Sequence, residues 1–397
     1  MDNSTLPLAG VKVVDFTRVL SGPFCTALLG DLGAEIIKIE PPQGDDYRAI
    51  APMRNEQSAL FTVMNRNKKS LVLDLKKPEA VALAQELASQ ADIVVENFRP
   101  GVANKLGIGY DTLKALNPRL IYVSVSGFGQ DGPAAHMPAY DIVIQAMSGL
   151  MNATGHAGGP PTLVGEAVSD VISGLFASWG ALAALYGRER TGTGTHVDVS
   201  MFESTLAFAA TSTSRYLFTG EDAPRVGNRH PLSAPFGAYQ AKDGHFVLAI
   251  LNNKLFAQLA NALETPEFAT DARFASDALR SGNEPALRAW IEDWASTRTV
   301  SEVLAVLEQA GLPCAPIWNT SQALSSEQTK ARGFLREVED PRLENLKLPS
   351  QPVRFTSYGE NQVNRAPGLG EHTELIAASV GLSAQRIAQL RELGVFG

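Results

Sequence analysis

Cysteine is nearly missing from this chain: in 397 residues only Cys25 and Cys314 occur. Two such distant thiols cannot staple a disulfide scaffold and match no C-x-x-C metal or redox spacing, so both are expected to be reduced and packed. Cations are outnumbered, 34 Lys and Arg against 42 Asp and Glu, for a formal charge of -8. That balance gives no electrostatic footprint for nucleic acid or an anionic membrane, and any anionic ligand must be met by a local cationic cluster. The N-terminus, MDNSTLPLAG, lacks the basic and apolar regions of a secretory signal. No run approaches the roughly 18 apolar residues of a membrane span; the most apolar, 171–186, is interrupted by Ser173, Gly174, Ser178 and Gly180. A cytoplasmic protein with no membrane partner, no nucleic-acid partner and no metal site is the expectation.

What is present is ordinary globular usage, 45% hydrophobic and 19% charged, over a length that allows two or three domains. The first 130 residues alternate β-branched runs (11–16, 36–39, 71–75, 93–95, 120–125) with helical patterns (26–32, 79–90, near Leu113). Such βαβ alternation predicts a Rossmann-like large domain, an α/β unit with a mainly parallel sheet whose ligands sit at the carboxyl ends of the strands. Those ends read Asp15-Phe16-Thr17-Arg18, Glu40-Pro41-Pro42, Glu96-Asn97-Phe98-Arg99 and Ser126-Gly127-Phe128-Gly129. A long helix from Ser169 or Asp170 to about Arg190 carries Val171, Ile172, Leu175, Phe176, Trp179, Leu182, Ala183 and Tyr186 at helical spacing. The cluster Pro224, Gly227, Asn228, Pro231 and Pro235 reads as a linker. The expected domains are 1–220, a large Rossmann-like unit, 225–325, a small α+β unit with a hairpin at Lys242-Asp243-Gly244, and 326–397, a segment with a strand near Val353 and a last helix near 384–393 that returns to the large domain.

Three local features bear on chemistry. Gly127 to Gly132 matches G-x-G-x-x-G after a strand, but Pro133 and the following AAHMPAY supply no clear helix start, so a turn is favoured over a dinucleotide site. Arg66, Lys68, Lys69, Lys76 and Lys77 form either a solvated face or the cation cluster a nucleotide needs. Asp170 stands where a helix N-cap belongs, and the same setting suits an ionised carboxylate nucleophile; local rules are satisfied by either role.

Several segments taken together resemble class III CoA-transferases, the CaiB/BaiF or formyl-CoA transferase family. They are Val13 to Thr17 with Ser21-Gly22-Pro23, Leu32 to Pro41, Asn65 to Lys76, Glu96 to Gly101, Gly192 to Met201, and Arg365-Ala366-Pro367 with Leu369 to Thr373, and in order they span nearly the whole chain. The resemblance implies Asp170 as the catalytic carboxylate, relaying CoA through an aspartyl anhydride and an aspartyl-CoA thioester. It implies CoA contacts from Leu20, Ser21, Leu73, Asp74, Leu75, Lys76, Asn97, Phe98, Arg99 and Lys105. It also implies no tightly bound cofactor, CoA and acyl-CoA being substrates, and an interlocked homodimer with the site between one chain's large domain and its partner's small domain.

Two rivals differ in chemistry. An α-methylacyl-CoA racemase shares the family's fold, but its histidine before Asp-Ile is replaced here by Tyr140-Asp141-Ile142. A noncatalytic CoA-binding protein would not be expected to retain Asp170. In place of the glycine-rich loop of the oxalate and formate enzymes stands Gly227-Asn228-Arg229-His230-Pro231, which disfavours those two acids. Tyr140, Arg229 and His230 remain candidates for contact with the substrate, the latter two with an acceptor carboxylate.

Overall fold

The computed structural model describes residues 6–360 and 363–397. Six strands, β1 (Lys12–Asp15), β2 (Glu35–Glu40), β3 (Lys68–Val72), β4 (Ile93–Glu96), β5 (Ile121–Ser126) and β6 (His196–Ser200), pair in parallel in the order 3-2-1-4-5-6. This is the order of doubly wound nucleotide-binding sheets, and it switches direction between β1 and β4. Alternate residues feed two apolar layers, as a sheet buried on both faces requires. Val14, Ile37, Leu71, Val94 and Tyr122 face one layer, and Val13, Ile36, Ile93, Val95, Ile121 and Val123 the other.

The chain divides into two compact units, Met1–Leu150 with Leu163–Ala210 and Glu327–Gly397, and Met151–Thr162 with Thr211–Ser326. In the first, the C-terminal segment reaches the sheet because Ile376, Ala377, Ile387, Leu390, Val395 and Phe396 join the Val14 layer, beside Ala80, Leu83, Ala84 and Leu87 of the helix Pro78–Ser89. Its hairpin is Leu335–Val338 with Leu346–Pro349, so Val353 lies outside any strand. In the second, the antiparallel strands Phe236–Gln240, His245–Ala249 and Cys314–Pro316 pack with helices Asn253–Ala262, Glu284–Ala295 and Val300–Gln309. The unit boundary falls at residue 210, before the Pro-rich cluster, and residues 151–162 leave the large unit, because tertiary grouping and not the proline content sets both limits.

Helix α1 (Ser21–Asp31) starts five residues earlier than its apolar pattern suggests. Pro23 is in the first turn, where a missing N–H costs no helical hydrogen bond, and Gly22 makes room for Thr17, whose Cγ2 would lie 2.4 Å from an added Cβ. The long helix α2 (Val168–Thr191) buries Ser173, Gly174, Ala177, Ser178 and Ala181, its small side. Leu175, Phe176, Trp179 and Tyr186 of the apolar pattern face outward, with Trp179 67% exposed. By length and composition this helix also meets the criterion for a membrane span, which the sequence reading did not find.

Candidate active site

The crevice outside the switch between β1 and β4 is where open parallel sheets place their ligands. Here the two loops are locked to one another by a single amide. Asn97 Nδ2 donates to Arg18 O at 2.8 Å while Arg18 N donates to Asn97 Oδ1 at 2.9 Å. The β1 loop is fixed from below as well. Lys38 Nζ donates to Thr17 O at 2.8 Å and to Asp45 Oδ2 at 2.9 Å, and Asp45 Oδ1 accepts from Val19 N at 3.1 Å, holding Val19 at φ 69°. A left-handed β-branched residue persists only where its surroundings over-determine it.

Two clefts open at this switch and share Arg18 and Phe98. The first runs over the ends of β1, β2 and β3, with apolar walls from Phe16, Ile39, Leu73, Leu75, Phe98 and Leu106 and with Asp74 and exposed Lys76 among its lining. The second is lined by Ser21, Asn97, Phe98, Arg99, Tyr140 and Asp170, with Val125, Ser126 and Gly127 behind them. Of the residues singled out from sequence, Leu73 to Lys76, Ser21, Asn97 to Arg99, Tyr140 and Asp170 are thus brought together. Leu20 lies buried beside the loop, and Lys105 is exposed on a short helix, both outside the two clefts. Arg229 and His230 belong to the other unit. There His230 Nδ1 accepts from Leu232 N and Ser233 N, both at 3.2 Å, which ties the ring to its own turn.

The cation cluster read from sequence is dismantled. Arg66 forms a buried fork with Asp31, Lys68 pairs with Asp15 at 3.0 Å with both side chains fully buried, and Lys69 meets Glu35 at 2.6 Å. Lys77 donates to Leu393 O. Arg66 and Lys68 neutralise carboxylates inside the protein, because an unpaired buried charge costs far more than a paired one, whereas the Lys69–Glu35 pair is partly exposed. Arg18, Lys76 and Arg99 are the exposed cations that line the clefts among the described residues. The G-x-G-x-x-G segment leads into a loop, with Gly129 and Gly132 at positive φ, and the next helix, Asp141–Met147, begins nine residues after Gly132.

Asp170 is not a cap. Ala167 occupies that position, Asp170 is the third helical residue, and the N-terminal N–H of Ser169 is satisfied by Asp141 Oδ1 at 2.7 Å. Its carboxyl is half-buried and pushed up to about 7, first by burial, then by the neighbouring Asp141, against a lowering hydrogen bond from Ser21. The expectation that its setting simply keeps it ionised is therefore corrected: burial and Asp141 favour its protonated form far more than in an ordinary aspartate. Burial and the charges of Asp170, Asp45 and Asp141 also raise the Tyr47 phenol. Sequence reasoning missed Asp141 and Tyr47. The Tyr140-Asp141-Ile142 motif was read for an absent histidine, when the aspartate in it organises the helix end.

A parallel sheet in this order, with a carboxyl of raised basicity at its switch-point crevice, places the chain in the doubly wound α/β class. The description "CoA-transferase family III" matches residues 8–373, and the chain belongs to that family. It is 45% identical over 368 residues to the acetyl-CoA:oxalate CoA-transferase of Acetobacter aceti, covering 92% of this chain and 93% of that protein. It is 36% identical to the succinyl-CoA:glutarate CoA-transferase of Mus musculus, over 95% of this chain and 87% of the relative. The crystal structure of a CaiB/BaiF family protein from Brucella suis superposes with a TM-score of 0.84 at 36% identity, covering 95% of this chain and all of the other.

Proposed function

We propose that the protein moves CoA from a small acyl-CoA, acetyl-CoA or succinyl-CoA, to a small dicarboxylic acid through covalent relay on Asp170. The observation that carries this reading is the Asp170 carboxyl, raised to about 7, in a cleft that shares Arg18 and Phe98 with the apolar slot over β1 to β3. The slot suits the adenine and phosphates of CoA, with Leu73 to Lys76, Phe98 and Arg18 around it, and the second cleft suits its thioester end. Leu20 acts through the loop it supports, and Lys105 contacts the outer phosphates. The relatives named above act with oxalate and glutarate, which returns oxalate to the candidate acceptors despite the missing glycine-rich loop.

In the relay the Asp170 carboxylate attacks the thioester carbonyl, the C–S bond breaks, and an acyl-aspartyl anhydride and CoA thiolate result. The thiolate attacks the aspartyl carbonyl and expels the donor acid, leaving aspartyl-CoA. The acceptor carboxylate displaces the thiolate to form a new anhydride, and the thiolate then attacks the acceptor's carbonyl, releasing the new acyl-CoA and free Asp170. Each step exchanges bonds of comparable energy, so covalent catalysis on a carboxylate suffices. Raised basicity favours attack, and because only the ionised form is the nucleophile, exchange should fall as pH drops through about 7.

The protein is further proposed to act as a cytoplasmic, interlocked homodimer, with Arg229 and His230 of the partner's small unit near the acceptor carboxylate. Support comes from the outward Leu175, Phe176, Trp179 and Tyr186 of α2, an apolar face of the kind that marks an interface. The racemase reading gains nothing, since no histidine is among the residues lining the Asp170 cleft. The test is a panel of acetyl-CoA and succinyl-CoA against free dicarboxylic acids, read by mass. Product acyl-CoA should form with the native chain and fall at least a thousandfold in Asp170→Ala, on the scale of losing a nucleophile; an active Asp170→Ala enzyme contradicts the reading.

A further inference from the structure

Helix α2 packs tightly against the start of α1 one turn beyond Asp170. A Cβ on Gly174 would lie 2.5 Å from Ser21 O and 3.1 Å from Phe24 Cδ1, so only glycine lets the two helix starts meet. The consequence is that Ser21, the first residue of α1, and Asp170, in the first turn of α2, line the same cleft, with Ser21 beside the Asp170 carboxyl, whose charged form it favours. Ser21 Oγ in turn accepts from Asn97 Nδ2 at 3.4 Å, and the Asn97 amide is itself fixed at both ends on the Arg18 backbone. A serine hydroxyl has one proton and two acceptor lone pairs. With a lone pair engaged by Asn97, the proton is free to point at the carboxyl.

We propose that Asn97, Ser21 and Asp170 form a positioning relay, in which Ser21 donates its single proton to the Asp170 carboxylate, orients one oxygen and favours the ionised group, and does not serve merely as a contact for CoA. This rests on the reading of Asp170 as nucleophile. The other ionisable groups around the carboxyl are Asp141, which disfavours its charge, Tyr47, and Tyr140, Arg18 and Arg99, which line the same cleft. Ser21 and Asn97 are positioning residues: one fixes the carboxyl, the other fixes the hydroxyl.

The test reads the carboxyl without turnover. In the full chain labelled with ¹³C-carboxyl aspartate, the infrared band absent from Asp170→Asn identifies Asp170, and its pH midpoint is followed. The native midpoint should lie near 7. Ser21→Ala should raise it by about half a pH unit or more, the loss of one neutral hydrogen bond to a charged acceptor. Ser21→Thr should keep the native value, and Asn97→Ala should move it in the Ser21→Ala direction by less. In exchange assays the acid limb should move with the band in Ser21→Ala while KM for the acyl-CoA stays. An unmoved midpoint in Ser21→Ala overturns the relay, and a raised KM with that midpoint unmoved assigns Ser21 to CoA contact instead. Failure of the nucleophile reading is seen separately, as activity in Asp170→Ala.

Discussion

Burial raises two carboxyls of the large unit to about 7, in different settings. Asp170 opens into a cleft, whereas Glu96, 3% exposed at the end of β4, accepts from Phe98 N at 2.8 Å and is raised by burial and then, against hydrogen bonds from Ser124 and Phe98, by Asp198. A carboxyl with a folded value above its unfolded one binds more protons when folded, so it lowers stability progressively as pH rises from about 4.5 to 7. Glu96→Gln should therefore melt above the native chain at pH 8 and close to it at pH 4.5, a difference read by thermal unfolding at the two values. Equal shifts at both would show that Glu96 is ionised at no cost. Neither value was legible in sequence, since an acid at a strand end looks the same whether water or a neighbouring strand covers it. The same holds for Arg66, Lys68 and Lys69, where composition could not distinguish a solvated face or a ligand site from pairing with carboxylates 34 to 53 residues distant in the chain.

The long helix shows what periodicity does and does not establish. Its length and position follow from the apolar spacing of Val171 to Tyr186 and the stop at Gly192, which lies at φ 71° beyond the last helical residue. Which side is buried does not follow, because the contact with α1 selects small residues, Ser173, Gly174 and Ala177, for close approach and leaves the larger apolar side chains outside. Were those side chains simply solvated, a charge at their centre would be tolerated. If they bury against a second copy, Trp179→Glu should convert the native assembly to monomer in sedimentation and reduce exchange with it, because a buried aromatic anchor is worth about 2 kcal/mol or more. A Trp179→Glu protein that keeps the native mass and activity removes this face from any interface.

At the scale of the molecule, the alternation of strands and helices over the first 130 residues was enough to anticipate a parallel α/β unit, and the loops Asp15 to Arg18 and Glu96 to Arg99 were identified as strand ends. The order 3-2-1-4-5-6 was not, because pairing β1 with β4 joins residues about 80 apart in the chain and leaves no local trace. That pairing makes the site. It sets Asn97 against Arg18, draws the C-terminal helices over one sheet face through Ile376 and Leu390, and places the start of α2 beside the start of α1. The account turns on what the resulting crevice does with the Asp170 carboxyl. The most direct measurement is to incubate the native protein with acetyl-CoA or succinyl-CoA and hydroxylamine, digest it, and sequence the peptide containing Asp170 by mass spectrometry. The account predicts a hydroxamate on Asp170 that requires the acyl-CoA and appears on no other carboxyl; an unmodified Asp170 in a protein still exchanging CoA at its native rate would contradict it.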